Sequence, residues 1–183
     1  MIYPIVAYGD AVLKKPARDL KKGELDLPKL IVDMYETMYE AHGVGLAAPQ
    51  IGLGLRLFIV DGEPMDDGLK DFKKVFINPV IIEETGTEWP FEEGCLSIPG
   101  IRSEVMRAPK VKIRYMDKDW NEHTEVYEGL SARIIQHEYD HIEGVLFVDR
   151  LSAIKKRLIK ARLGNISKGK VDVDYKMKFP LKK

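Results

Sequence analysis

The chain has too few cysteines to fasten itself covalently. With one cysteine in 183 residues, no internal disulfide can close, which fits a reducing cytoplasm. Cys95 is therefore left for packing, ligation or nucleophilic chemistry. Long apolar runs are missing too, and no segment approaches the ~20 residues that span a bilayer. The opening residues have no basic stretch and break at Pro4, so neither a secretory signal nor an Arg-rich transit peptide is expected. Charge of one sign is also lacking. Lys plus Arg and Asp plus Glu each total 29, giving a formal net charge of zero. Such a chain has no global electrostatic reason to seek DNA or an anionic membrane. Repeats, low-complexity tracts and linkers are absent.

What remains is ordinary globular material, 45% hydrophobic and 32% charged. The length suits one domain over residues 1–183 and is short for two. Leu27, Leu30, Ile31, Met34, Met38 and Ala41 recur at helical spacing, with Asp26 as N-cap and Gly43 as the C-terminal stop. Residues 43–54, rich in glycine and interrupted by Pro49, read as a loop. Residues 56–60, 75–82, 111–115 and 124–127 are rich in β-branched and aromatic side chains and read as strands, with 61–71 a surface loop. A second helix is expected over 130–142. A third is expected over 152–163, capped by Ser152 and stopped by Gly164-Asn165. Helices near both ends with strands between them, and no βαβ alternation, predict an α+β fold with mainly antiparallel pairing.

His137-Glu138-Tyr139-Asp140-His141 spells H-E-x-x-H within helical periodicity. Residues four apart share a helix face about one turn, or roughly 6 Å, apart, so both imidazoles can converge on one metal. Glu138 is rotated by roughly 100° and is placed to reach a water on that metal. The pattern thus reads as two ligands and a general base. The bland reading is an accidental pair of histidines with Glu138 and Asp140 solvated. Ile134, Ile135 and Ile142 argue against it, because they put the helix in a packed interior. A catalytic site also needs a third ligand and an open position. No histidine follows His141. Upstream lies Cys95 in Glu93-Gly94-Cys95-Leu96-Ser97-Ile98-Pro99, where Gly94 permits an irregular turn and Pro99 ends a short strand. As a thiolate, Cys95 completes a Cys/His/His set. Taken alone, it is better read as a small buried hydrophobe.

Three segments together are more specific. Gly43-Val44-Gly45-Leu46-Ala47-Ala48-Pro49-Gln50-Ile51-Gly52, Glu93-Gly94-Cys95-Leu96-Ser97 and Gln136-His137-Glu138-Tyr139-Asp140-His141 resemble the three motifs of peptide deformylases, in their order. The resemblance covers roughly Tyr3 to Leu151 and fades afterwards, with a divergent tail from about residue 164. It implies mainly antiparallel sheets around a central metal-binding helix. It also implies an enzyme that hydrolyses the formyl group from N-terminal formyl-methionine of nascent polypeptides.

By that resemblance Cys95, His137 and His141 hold the metal, and Glu138 serves as base and then acid. The Gln50 side-chain amide and the Leu96 backbone N–H meet the charge that develops on the formyl oxygen. The same source implies Fe(II), with nickel, cobalt or zinc as substitutes, a choice that the ligand types alone do not make. The peptide would lie strand-like along Val44-Gly45, with Val44 and Ile134 lining a methionine pocket and Arg102 at its outer end. Val44 and Ile134 also suit ordinary core positions. Gly45 is read as letting the substrate backbone approach. Glu93 is read as orienting a ligand or Arg102.

The resemblance also implies ribosome contact near the exit tunnel through the C-terminal helix, as in some members of that family, and here Lys155, Lys156, Arg157, Lys160 and Arg162 give the third helix a basic face toward ribosomal RNA phosphates. The plainer expectation is a solvated helix with Ile154, Leu158, Ile159 and Leu163 packed inward. In the tail, Val171, Val173, Tyr175, Met177 and Phe179 alternate with charged residues, as an edge strand or a partner surface would. Two other classes compete. An H-E-x-x-H protease would cut internal peptide bonds, and a metal-stabilised binding protein would cut none. The cysteine and the motif order disfavour the first; intact Gln50, Cys95 and Glu138 disfavour the second.

Overall fold

Leu57-Phe58-Ile59-Val60 is apolar without a break because both faces of the strand it forms are covered. Leu57 and Ile59 point to one side and join Met34 and Met38; Phe58 and Val60 point to the other and join Ile134 and Ile135. The sheet is therefore the middle layer between two helices.

The computed structural model describes residues 1–181. In chain order its elements are β1 (Ile5–Val6), α1 (Leu27–Glu40), β2 (Gly45–Ala47), β3 (Leu57–Asp61), β4 (Lys73–Thr85) and β5 (Trp89–Cys95). They continue with β6 (Ile98–Arg107), β7 (Lys110–Met116), β8 (Glu122–Glu128), α2 (Gly129–Ile142), α3 (Ala153–Ser167) and β9 (Met177–Lys178). The central sheet has the order β2-β3-β4-β7-β8, antiparallel throughout. β5 and β6 form an antiparallel ribbon, while β1 and β9 pair in parallel. The fold is α+β, as expected. α1 covers one face of the sheet, and the metal-motif helix α2 lies against β2, β3, β7 and β8 on the other.

α1 begins as its sequence requires, with the Asp26 carboxylate accepting from Lys29 N–H at 3.1 Å. Its five predicted apolar positions are buried, and so is Ala41 at its C-terminal cap. Its end differs from expectation. The left-handed residue is His42 (φ 56°), and Gly43 N–H closes back on Met38 O at 2.9 Å. Gly43 is needed for space instead, since a Cβ there would stand 2.8 Å from the Leu96 side chain.

Further expectations are corrected. Residues 43–54 are not all loop: 45–47 form β2 because β3 offers them a ladder, and Ala48–Ile51 form a single 3-10 turn around Pro49. Pro99 does not end a strand but sits early in β6, where four residues (99–102) bulge opposite Gly94 and no ladder N–H is needed. α3 runs past Gly164-Asn165 to Ser167 because Leu163, Ile166 and Ser167 are buried and hold its last turn. Its outer side also departs from the pattern. Leu163 is buried, whereas Ile154 and Leu158 are 74% and 75% exposed, since the first turns of α3 stand away from the core. Of the alternating tail, only Met177–Lys178 is strand, an edge strand paired in parallel with β1.

Candidate metal centre

α2 brings His137 and His141 one turn apart on its buried face, with ring centroids 5.1 Å apart. β5 ends at Cys95, whose Sγ stands 3.3 Å from His141 Nε2. One ligand atom from each of Cys95, His137 and His141 lies within 4.8 Å of the other two. Distant segments thus converge on one point. The set suits a borderline or soft divalent cation with a fourth position open.

The field around the cluster also suits a cation. Burial works against charge on His137, yet the neighbouring Cys95, Glu93 and Glu138 outweigh it and hold its pKa well above the ordinary value. This part of the site therefore favours positive charge. Burial, reinforced by the charges of His137 and Arg107, pushes His141 well below its ordinary value. A neutral imidazole is the form that ligates a metal.

Glu138 is 4% exposed, and its Oε2 has no hydrogen-bond partner among the described residues. Burial, aided by the charges of Glu93 and Asp140, raises its carboxyl to about 7. A bound cation draws that value back down. Such a group is suited to take up and return a proton near neutrality. Gly45 has no side chain for a reason that sequence did not reveal. A Cβ there would stand 2.8 Å from Glu138 Cγ and Cδ, so the missing side chain leaves room for Glu138.

Gln50 lies in the 3-10 turn after β2 and is 1% exposed. Its Oε1 accepts from Ala47 N–H at 2.9 Å, which fixes the orientation of the amide. Its Nε2 then donates to Ser97 Oγ at 3.3 Å and faces Cys95 Sγ at 3.5 Å.

Behind the ligands runs an ionic network that the sequence did not announce. Glu93 accepts from Arg107 Nε at 2.7 Å and Nη2 at 2.9 Å, and from Arg133 Nη1 at 2.8 Å. Its Oε1 also meets His137 Nδ1 at 2.8 Å. Arg107 continues to Asp140 at 2.9 Å, and Asp140 is held from the other side by Arg150 at 2.6 and 2.7 Å. Glu93 therefore orients a ligand, as expected, but not Arg102. Arg102 lies outside the network, 60% exposed, with its guanidinium over Gly94 and 3.6 Å from Glu92. Asp140 is buried in the network rather than solvated. The legible signal was helical: Arg133, His137 and Asp140 fall on one face of α2.

All of this opens on a cleft of about 530 Å³. Val44, Gly45, Gln50, Cys95, Leu96, Arg102, Ile134, His137 and Glu138 line it, and His141 lies beneath at 1% exposure. Tyr175 also lines it, with Asp172, Val173 and Asp174 of the tail, a wall that the sequence reading missed.

The chain is similar to known proteins. A model of the polypeptide deformylase family matches residues 2–157. The chain is 64% identical to a peptide deformylase of Cytophaga hutchinsonii over 184 residues, covering 100% of both chains. It is 59% identical to one of Christiangramia forsetii over 190 residues, covering 98% of this chain and 97% of that one. The crystal structure of a peptide deformylase from Legionella pneumophila matches with a TM-score of 0.83 and 40% identity, over 93% of this chain and 98% of the other.

Proposed function

The chain belongs to the peptide deformylase family, metal-dependent hydrolases that remove the N-terminal formyl group of nascent chains, and from that premise we propose how its residues divide the work. Cys95, His137 and His141 hold the metal, Glu138 moves the proton, and Gln50 with Leu96 receives the developing charge. The convergence of three ligand atoms within 4.8 Å, beside a buried carboxylate with an unpartnered oxygen, carries this reading.

A divalent cation in this site, when bound, supplies Lewis acidity and acidifies a water. Glu138 accepts a proton from the attacking water as a C–O bond forms at the formyl carbon. Gln50 Nε2 and Leu96 N–H donate to the formyl oxygen as it gains charge. Glu138 then returns the proton to the methionine nitrogen as the C–N bond breaks, giving formate and a free N-terminus. Among the described residues β2 pairs with no strand but β3, which leaves its other edge at Val44-Gly45 to receive the peptide as an added strand. Val44 and Ile134 offer the methionine side chain an apolar wall, and Arg102 stands at the rim.

For the metal we propose Fe(II), on the strength of the family resemblance, with nickel, cobalt or zinc as substitutes. The protein works in the cytoplasm on N-formylmethionyl peptides. The exposed Lys155, Lys156, Arg157 and Lys160 of α3 support contact with the ribosome. Ribosome pelleting unaffected by charge reversal at these lysines would remove that contact.

The test of the reaction is formate release from formyl-Met-Ala-Ser. It should vanish on chelation and return with Fe(II) under anaerobic conditions, while acetyl-Met-Ala-Ser stays intact. Exposure to air should inactivate the iron form, because metal and thiolate both oxidise. Cleavage of internal peptide bonds would return the site to a protease. Absence of release from folded, metal-replete protein would leave the binding protein in front.

A further inference from the structure

The turn that carries Cys95 and Leu96 is not self-supporting. Cys95 pairs with Ile98 across only Leu96 and Ser97. Two-residue hairpin turns ordinarily use left-handed residues such as glycine or asparagine, which match the twist of the strands. Neither Leu96 nor Ser97 has positive φ. The turn is held from outside instead. Gln50 Nε2 donates to Ser97 Oγ at 3.3 Å, and Tyr8 N–H donates to Ser97 O at 2.9 Å. The phenol of Tyr175 donates to Leu96 O at 2.8 Å.

The last two donors come from one ribbon. β1 and β9 pair with Ile5 opposite Met177, and Ile5 N–H meets Lys176 O while Ala7 N–H meets Lys178 O, both at 2.9 Å. This ribbon places Tyr8 and Tyr175 against successive carbonyls of the same turn. The Tyr175 ring packs on the α1 cluster, and Asp174 lies 3.7 Å from His42. The tail is thereby held against α1 and the Cys95-Leu96 turn, although it lies beyond the residues that match the family model.

We propose that Tyr175 is a positioning residue for deformylation: by fixing the peptide plane after Leu96, it holds the Leu96 N–H on the developing oxyanion. This rests on the Leu96 role given above. Leu96 N–H and Leu96 O lie on adjacent peptide planes that share one Cα. Restraining the second plane limits rotation of the first, whose other end is Cys95. An oxyanion donor contributes only when it is aimed before charge develops, so losing the restraint affects turnover more than binding.

The test is Tyr175→Phe, which keeps the ring and removes the donor. Kinetics with metal-loaded protein and formyl-Met-Ala-Ser should show kcat lower by roughly three- to tenfold, the effect of one hydrogen bond. KM, metal content and thermal midpoint should stay near wild type, and the Leu96 amide proton should exchange with solvent faster. Tyr175→Leu, which also removes ring packing, should lower the thermal midpoint as well, separating positioning from support. Unchanged kcat in Tyr175→Phe, or a parallel loss of KM, metal and thermal midpoint, overturns the proposal while deformylation stands. A wild-type protein that releases no formate overturns both.

Discussion

Replacing Glu138 by alanine should lower kcat for formate release by about 10³-fold, while metal content and thermal stability hold. General acid–base groups contribute roughly 10²–10⁴-fold, and here one carboxylate serves in both directions of proton transfer. The loss should exceed that from either oxyanion donor, because each of those shares its task. Stability should not suffer, since Glu138 is buried with an unpartnered oxygen and a carboxyl raised to about 7 by burial. A buried carboxylate held in that way costs the fold something to keep. Glu138→Ala removes that cost and leaves the ligands in place. Steady-state kinetics beside metal analysis and thermal melting check the prediction. A variant that retains more than a tenth of wild-type kcat would remove Glu138 from the proton path.

Glu93 should show the opposite balance. Glu93→Ala leaves Arg107 and Arg133 buried without their shared carboxylate and His137 without an orienting acceptor. Breaking a buried ion pair from one side costs about 3–5 kcal/mol. Losing the partner of a metal-ligating histidine weakens metal binding by about 10- to 100-fold. Destabilisation and metal loss should therefore precede any change in the chemistry of the loaded enzyme. The pH dependence is distinctive. Burial opposes charge on Glu93, but hydrogen bonds from His137 and Arg107 hold its carboxyl well below the ordinary 4.5. A depressed folded pKa contributes stability that is fully present above about pH 4.5 and lost as pH falls toward the folded value. Urea unfolding should thus find the gap between wild type and Glu93→Gln widest near neutrality and narrowing below about pH 4.5. A gap independent of pH would mean that Glu93 packs without acting as a charge.

The parts legible from sequence were those whose cause is local. The five apolar positions of α1, with Ala41 at its cap, repeat at helical spacing, and packing against the sheet only confirms them. His137 and His141 are four apart on a helix, so their convergence follows from helix geometry alone. β2 was hidden because Gly45-Leu46-Ala47 has no β-branched residue, and pairing with β3 makes it a strand. The Glu93 network was hidden because its members come from β5, β6, α2 and the turn after it, joined only by the finished fold. Ile154 and Leu158 misled because helical spacing shows that a face is apolar without showing that anything covers it. Tyr175 alternates with charged residues as any edge strand would, and its hydrogen bond to Leu96 spans 79 positions.

The ligand set itself is the central claim, and X-ray absorption at the zinc edge of zinc-loaded protein tests it most directly. The spectrum should require one sulfur at about 2.3 Å and two imidazole nitrogens at about 2.0–2.1 Å, with a light-atom ligand completing the shell. A shell of nitrogen and oxygen alone, or a spectrum unchanged by Cys95→Ser, would contradict the account and put the metal elsewhere.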